Sequence, residues 1–270
     1  MKTYIETSDH VKLGFTIWKS GKQPLLMLHG WGGNQLSFAG MAGELKGDYC
    51  IMSYDHRGFG ESGKPDTAVY SVERLAQDLH EVIEKQKLKD VILVGWSMGG
   101  VVAATYLDVY GHARVTRLVL IDVNVRMLQD ERDFLRDLSL IAYNFRLYAE
   151  EMPEKCNMYL FTAEQRAAFV EKVTQQNTKP FPLIAMLLAI SNTNLTENYK
   201  RLDLPVLFCH GGTSSFCPSE DCDRVMRLLP DAELAEFPEC SHFIPIERPQ
   251  QLAKAIDEFI LSDGCNRRAI

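Results

Sequence analysis

The sequence predicts an α/β fold in which a mostly parallel sheet is covered by helices on both faces. Two observations carry this. Short, nearly continuous apolar runs recur at residues 25–28, 49–54, 91–95, 117–121 and 205–209, the pattern of strands buried on both sides. Between them lie helix-like segments, such as the one opened by the cap residue Ser71, which places Val72, Leu75, Leu79 and Val82 on one face and charge on the other. From Leu25 to Asp122 strand and helix alternate three times, so consecutive strands are expected to run parallel, with ligands bound at their carboxyl ends. His29, Asp55, Ser97 and Asp122 all fall at such ends.

Residues 91–104 read as a buried strand, a sharp turn and a helix, with Ser97 at the turn between Gly95 and Gly99. Glycines suit a turn too tight for a neighbouring Cβ, and the small residues that follow let the helix pack closely on the sheet. This G-x-S-x-G arrangement lifts a serine hydroxyl over a helix N-terminus, where amides and dipole favour developing negative charge. Ser97 is therefore the expected nucleophile. Two amides must meet the oxyanion of an acyl-transfer reaction, one from the residue after the nucleophile and one from the glycine-rich loop at 29–33. These are Met98 and Trp31.

The remaining elements follow in order. Residues 2–7 and 11–18 alternate as a β-hairpin, and a helix is expected over 36–46. In the loop at 55–62, Asp55 and Arg57 are expected to act as braces through charge-assisted hydrogen bonds. Residues 123–203 carry helical patterns only: one through 130–150, one opened by the capping box Thr162-Ala163-Glu164-Gln165, and one through 182–188. They are expected to form a helical lid over a core domain made of 1–122 and 204–270. Phe134, Phe145, Met158, Phe161, Met186 and Leu187 are its candidate pocket residues. A last strand at 232–237 leads into a loop carrying His242, placed to serve Ser97 as a base, and an amphipathic helix over 249–261 closes the chain.

Composition narrows the partners. A net charge of −7 without a basic block disfavours nucleic acid and anionic membrane surfaces. The longest apolar run, 183–190, is far short of the roughly 18 residues a membrane span needs, and the N-terminus lacks the apolar stretch of an export signal. Seven cysteines with no C-x-x-C pair point to reduced thiols in a cytoplasm and to no metal site. Cys217 and Cys240, near the expected site, are candidates for oxidation sensitivity.

The segments 29–32, 55–62, 95–100 and 241–242 together resemble the α/β-hydrolase family over nearly the whole chain, with branches such as pimeloyl-carrier methyl ester esterases and cofactor-free perhydrolases and arylesterases. The resemblance implies an eight-stranded sheet, a Ser-His-acid triad, no cofactor and a small-molecule ester substrate. Perhydrolase or lactonase activity is the alternative on the same site, and a ligand-binding or signalling protein the alternative of another class. In such relatives the acid usually lies after the strand at 205–209, four residues ahead of a proline. Here that position is Ser214, which cannot supply the charge. Asp122 is the expected acid, Glu220 or Asp221 could reach in from a remodelled loop, and a Ser-His dyad is the remaining possibility.

Overall fold

The computed structural model describes residues 1–67, 69–126, 131–175 and 179–262. Eight strands form one sheet: β1 (Lys2–Glu6), β2 (Lys12–Lys19), β3 (Gln23–Leu28), β4 (Tyr49–Tyr54), β5 (Val91–Trp96), β6 (Val115–Ile121), β7 (Val206–Gly211) and β8 (Ala232–Phe237). Their order is β1-β2-β4-β3-β5-β6-β7-β8. The N-terminal hairpin pairs antiparallel, β2 meets β4 antiparallel, and every pairing from β4 to β8 is parallel. The chain leaves β3 toward β4 on one side and returns to β5 on the other. Such a reversal opens a crevice at the carboxyl ends of the two flanking strands.

Alternation within the apolar runs explains why both faces are covered. Leu26 and Leu28 of β3 join Leu93, Leu118 and Phe208 in one core, whereas Leu25 and Met27 join Val94, Val119 and Leu207 in the other. The first core is roofed by α2 (Val72–Lys85) and α3 (Met98–Tyr110), where α1 (Ala39–Glu44), preceded by a short 3-10 turn, is the early helix of the second. The continuous apolar sequence of β3 is thus two half-faces interleaved at period two.

Between β6 and β7 come α4 (Glu131–Tyr143), α5 (Phe145–Lys155), α6 (Ala163–Gln175), α7 (Pro180–Ser191) and α8 (Thr196–Lys200). The helix expected through 130–150 is two helices: Asn144 stands between them and its side chain accepts the Leu147 N–H at 3.3 Å, capping α5. Asn competes for backbone donors, so it ends one helix by starting another. Residue 130 itself lies outside the described residues. The capping box forms as expected, with Gln165 N–H on Thr162 Oγ1 at 3.2 Å and Thr162 N–H on Gln165 Oε1 at 2.8 Å. After β7 the chain adds α9 (Ser219–Leu228), then the short α10 (Ile244–Glu247) that the sequence pattern did not reveal, and α11 (Pro249–Leu261).

The brace at 55–62 takes a particular form. Asp55 accepts the Gln35 and Glu61 backbone N–H groups at 2.7 and 2.8 Å, and the fully buried Arg57 forks onto Asp78 at 2.6 and 2.7 Å and onto Asp9 at 2.7 and 3.0 Å. The two residues pair with the neighbouring turn, hairpin and helix and not with each other.

The tightest packing lies where α3 crosses β3. A Cβ on Gly99 would come within 2.0 Å of the Leu28 carbonyl oxygen, against backbone that cannot yield. Gly99→Ala is therefore expected to destabilise the protein by about 3 kcal/mol. Gly43→Ala, in a helix with open space around the new methyl, should stabilise it by about 0.5 kcal/mol. Denaturant unfolding of the two variants checks this pair, and equal effects would contradict the packing argument.

Candidate active site

The site begins with a register. Trp96 at the end of β5 lies opposite Ile121 at the end of β6, and Ile121 lies opposite Cys209 of β7. One residue beyond these ends the backbone turns into the left-handed region, at φ 52° for Ser97 and φ 50° for Asp122. Non-glycine residues adopt this region at a cost, and they persist where packing over-determines them. The ladder supplies part of that restraint: Ser97 N–H donates to the Ile121 carbonyl at 3.0 Å, and Asp122 N–H to the Cys209 carbonyl at 2.8 Å. Gly95 contributes the rest, because a Cβ there would lie 2.5 Å from Gly100 Cα.

Asp122 is 2 % exposed, yet its carboxylate is fully engaged. Oδ2 lies 2.6 Å from His242 Nδ1 and accepts the Ser214 hydroxyl at 2.5 Å, while Oδ1 accepts the Gly211 N–H at 3.1 Å. A buried carboxylate needs such donors to stay charged. Ser214 Oγ in turn accepts the Phe216 and Cys217 N–H groups, both at 3.2 Å, which orients its proton toward Asp122. Ser214, on the loop after β7, thus donates to the carboxylate that follows β6.

His242 is held from behind. Trp96 Nε1–H donates to its carbonyl at 2.9 Å, and Glu247 of α10 accepts the Ser241 N–H and hydroxyl at 2.8 and 2.7 Å. The Phe216 ring lies over the imidazole with centroids 4.5 Å apart. Ser97, Met98, Asp122 and His242 line one small cavity of about 40 Å³, so the structure brings together four of the five residues singled out from the sequence. Trp31 sits on the loop after β3, its indole donating to the Leu183 carbonyl of α7 at 2.9 Å. Gly30 of the same loop passes so close to the serine that a Cβ on it would lie 3.2 Å from Ser97 Cβ.

Glu220 and Asp221 do not reach the site. Asp221 accepts from Asn124 Nδ2 at 2.8 Å and pairs with Arg224 at 3.0 Å, and Glu220 is exposed on α9. The six candidate pocket residues of the helical segment do not line the cavity either. Met158 and Met186 are fully buried in the two cores, and Phe134, Phe145, Phe161 and Leu187 pack with them, because apolar helix faces over a sheet edge bury against it first. The apolar wall comes instead from Met98, Val101, Val123, Val125, Ile190 and Leu195. Phe216, Glu247 and the donor role of Ser214 had no sequence signal, since each depends on how loops fold together.

The loop after β3 rests on a neutral histidine. Burial pushes the His29 imidazole below its usual pKa. Its Nε2 accepts the His56 N–H at 3.0 Å, so Nδ1 carries the proton toward the Gly30 carbonyl at 2.8 Å. The two thiols singled out from the sequence are inert at neutral pH: burial pushes Cys240 up to about 12 and Cys217 higher still. Cys50, Cys156, Cys209 and Cys222 are likewise free thiols. His210, Cys222 and Glu236 approach closely enough to hold a cation, but Nδ1 of His210 already meets Glu236 at 2.9 Å and Nε2 the Cys217 carbonyl at 2.9 Å.

With this geometry in view, comparison with known proteins places the chain. The profile of the alpha/beta hydrolase family matches residues 25–255. The chain belongs to that family. It is 28% identical to a non-heme chloroperoxidase of Kitasatospora aureofaciens, over 88% of this chain and 91% of the relative. It is 23% identical to a pimeloyl-[acyl-carrier protein] methyl ester esterase of Aeromonas hydrophila, over 92% of this chain and all of the relative. An esterase structure from Exiguobacterium antarcticum superposes with a TM-score of 0.87 at 22% identity, covering 96% of this chain and 99% of the other. Among the described residues, no helix is long and apolar enough to cross a membrane.

Two buried neutral histidines set a pH dependence. Burial lowers His56 well below its usual pKa, as it does His29. The unfolded chain takes up both protons near pH 6.5 and the native state does not, so stability rises with pH through that region and falls below it. Between pH 6 and 5 these two groups are expected to make stability fall as pH falls. His56→Phe should make that fall shallower in denaturation series at fixed ionic strength, and an unchanged slope would rule the assignment out.

Proposed function

We propose that the chain is a serine hydrolase of carboxylic esters of small to medium apolar acids. The observation that carries this reading is the 2.6 Å contact between Asp122 and His242 Nδ1 beside a serine held at a strained strand-to-helix turn in the same cavity. In this reading Ser97 is the nucleophile, His242 the base and Asp122 the acid. The N–H groups of Met98 and Trp31 form the oxyanion hole. Helices α4–α8 act as the lid.

The chemistry follows from these roles. His242 Nε2 takes the proton of Ser97 Oγ as the oxygen attacks the ester carbonyl, and the two amides hold the resulting oxyanion. Asp122 fixes the imidazole with Nδ1 protonated and stabilises the imidazolium that forms. The intermediate collapses to an acyl-serine, and His242 hands its proton to the departing alcohol. Water, deprotonated by the same imidazole, then releases the acid. Met98 suits its part because, as the first residue of α3, its N–H has no acceptor within the helix. The buried, unpaired thiols fit a reducing cytoplasm.

Hydrogen peroxide in place of water at the last step would give a peracid. The chloroperoxidase relative makes that the second reading. A binding protein without turnover has less support, because it would have no need of a carboxylate carrying three donors behind the histidine.

Hydrolysis of p-nitrophenyl butyrate tests the proposal. Ser97→Ala is expected to abolish turnover, and Asp122→Asn to lower kcat/KM by on the order of 10⁴-fold. Ser214→Ala removes one charge-assisted hydrogen bond and should cost about tenfold. In Asp122→Asn the second substitution Ser214→Asp should restore at least about a hundredfold of the lost activity, because it returns a carboxylate to the same hydrogen-bonded cluster. An Asp122→Asn variant within threefold of the parent would exclude Asp122 as the acid.

A further inference from the structure

Arg126 stands at the wall of the cavity that holds Ser97 and His242, and nothing in the reading above uses it. Its backbone is not loose. Arg126 forms an antiparallel bridge with Asn194, and the neighbouring Val125 carbonyl accepts the Leu195 N–H at 2.7 Å. The segment after β6 is thereby tied to the turn between α7 and α8.

The guanidinium, by contrast, is exposed and meets no carboxylate among the described residues. Several other arginines are matched, Arg57 with Asp78, Arg74 with Glu81, Arg136 with Glu151 and Arg201 with Asp108, but among the described arginines only Arg126 lines the cavity of Ser97 and His242. The acidic groups nearest the cavity are already committed. Asp122 has its three donors, and Asp221 is shared between Asn124 and Arg224. In a chain of net charge −7, a cation at the wall of the site that meets no carboxylate among the described residues is a local reversal of sign.

We propose that Arg126 selects short esters whose acyl part carries a second, ionised carboxylate, that is, hemi-esters of small dicarboxylic acids. The proposal rests on the ester-hydrolase reading and replaces the apolar acyl group given there with an ionised one. A guanidinium offers paired donors that match a carboxylate fork, and Arg126 holds them on an anchored backbone. Ser97, His242 and Arg126 line the same cavity, so a short acyl chain with its ester carbonyl at Ser97 would carry its far carboxylate toward the guanidinium. The reaction is ordinary hydrolysis, and the second carboxylate takes no part in bond making.

The test compares monomethyl glutarate with methyl butyrate by proton release at constant pH. The parent is expected to favour the hemi-ester about tenfold in kcat/KM, chiefly through KM. Arg126→Gln should bring the ratio toward one, Arg126→Glu should invert it, and 0.5 M sodium chloride should narrow the parent's preference. A parent ratio near one, or a ratio unmoved by Arg126→Gln, overturns the proposal while leaving ester hydrolysis standing. Hydrolysis of neither ester counts against the functional reading itself. In that case calorimetry on Ser97→Ala decides the inference separately. Binding of monomethyl glutarate that is lost in Ser97→Ala/Arg126→Gln supports it, and absent or unaltered binding overturns it.

Discussion

The carboxyl edge of the sheet depends on one register, Trp96 opposite Ile121 in the parallel ladder between β5 and β6. That pairing sets Ser97 and Asp122 at the same level, one residue past their strands, each in a left-handed turn. Slipping the pairing by one residue would turn every side chain of β5 to the other face and carry the serine away from the crevice. Both faces of β5 are packed, so no alternative register buries the same apolar surface. The two costly backbone conformations are thus maintained by core packing that lies well behind the site.

Charge is handled by the same economy of neighbours. The Asp122 carboxylate is out of water and surrounded by three donors from two loops and the end of β7. Removing any one leaves an acceptor short of its partner in a region of low dielectric. His242, at the other end of the contact, is fixed through its own carbonyl and through the Ser241–Glu247 pair. The imidazole therefore owes its place to three separate elements, and the Phe216 ring packs against it.

The centre of the sheet was legible in the sequence because its strands are short, nearly continuous apolar runs whose burial on two faces leaves little choice of state. The turn at Ser97 was legible for a different reason: only glycines tolerate the approach of α3 to Leu28 and of Gly95 to Gly100, so the geometry is written directly as residue type. Asp122 could be named from its strand end. Its partnership with Ser214 could not, because the two are 92 residues apart and meet through a loop whose path no periodicity encodes. The break at Asn144 and the short helix at Ile244–Glu247 were missed for the same kind of reason. A one-turn helix carries no period, and a capping side chain inside a long helical pattern reads as an ordinary polar position. The cavity wall was not legible, because an apolar helix residue can line a pocket or pack on the parent domain and periodicity does not separate the two; here the six candidates pack.

The hydrogen bond between Ser214 and Asp122 has a consequence for descent. Two positions that follow neighbouring strands meet at the oxygen that also faces His242 Nδ1, so the seat of negative charge can pass from one to the other without the imidazole moving. Lineages of this fold can then differ in which strand bears the carboxylate while keeping one arrangement in space. Aligning them by column would score a lost residue where the charge has only changed its address.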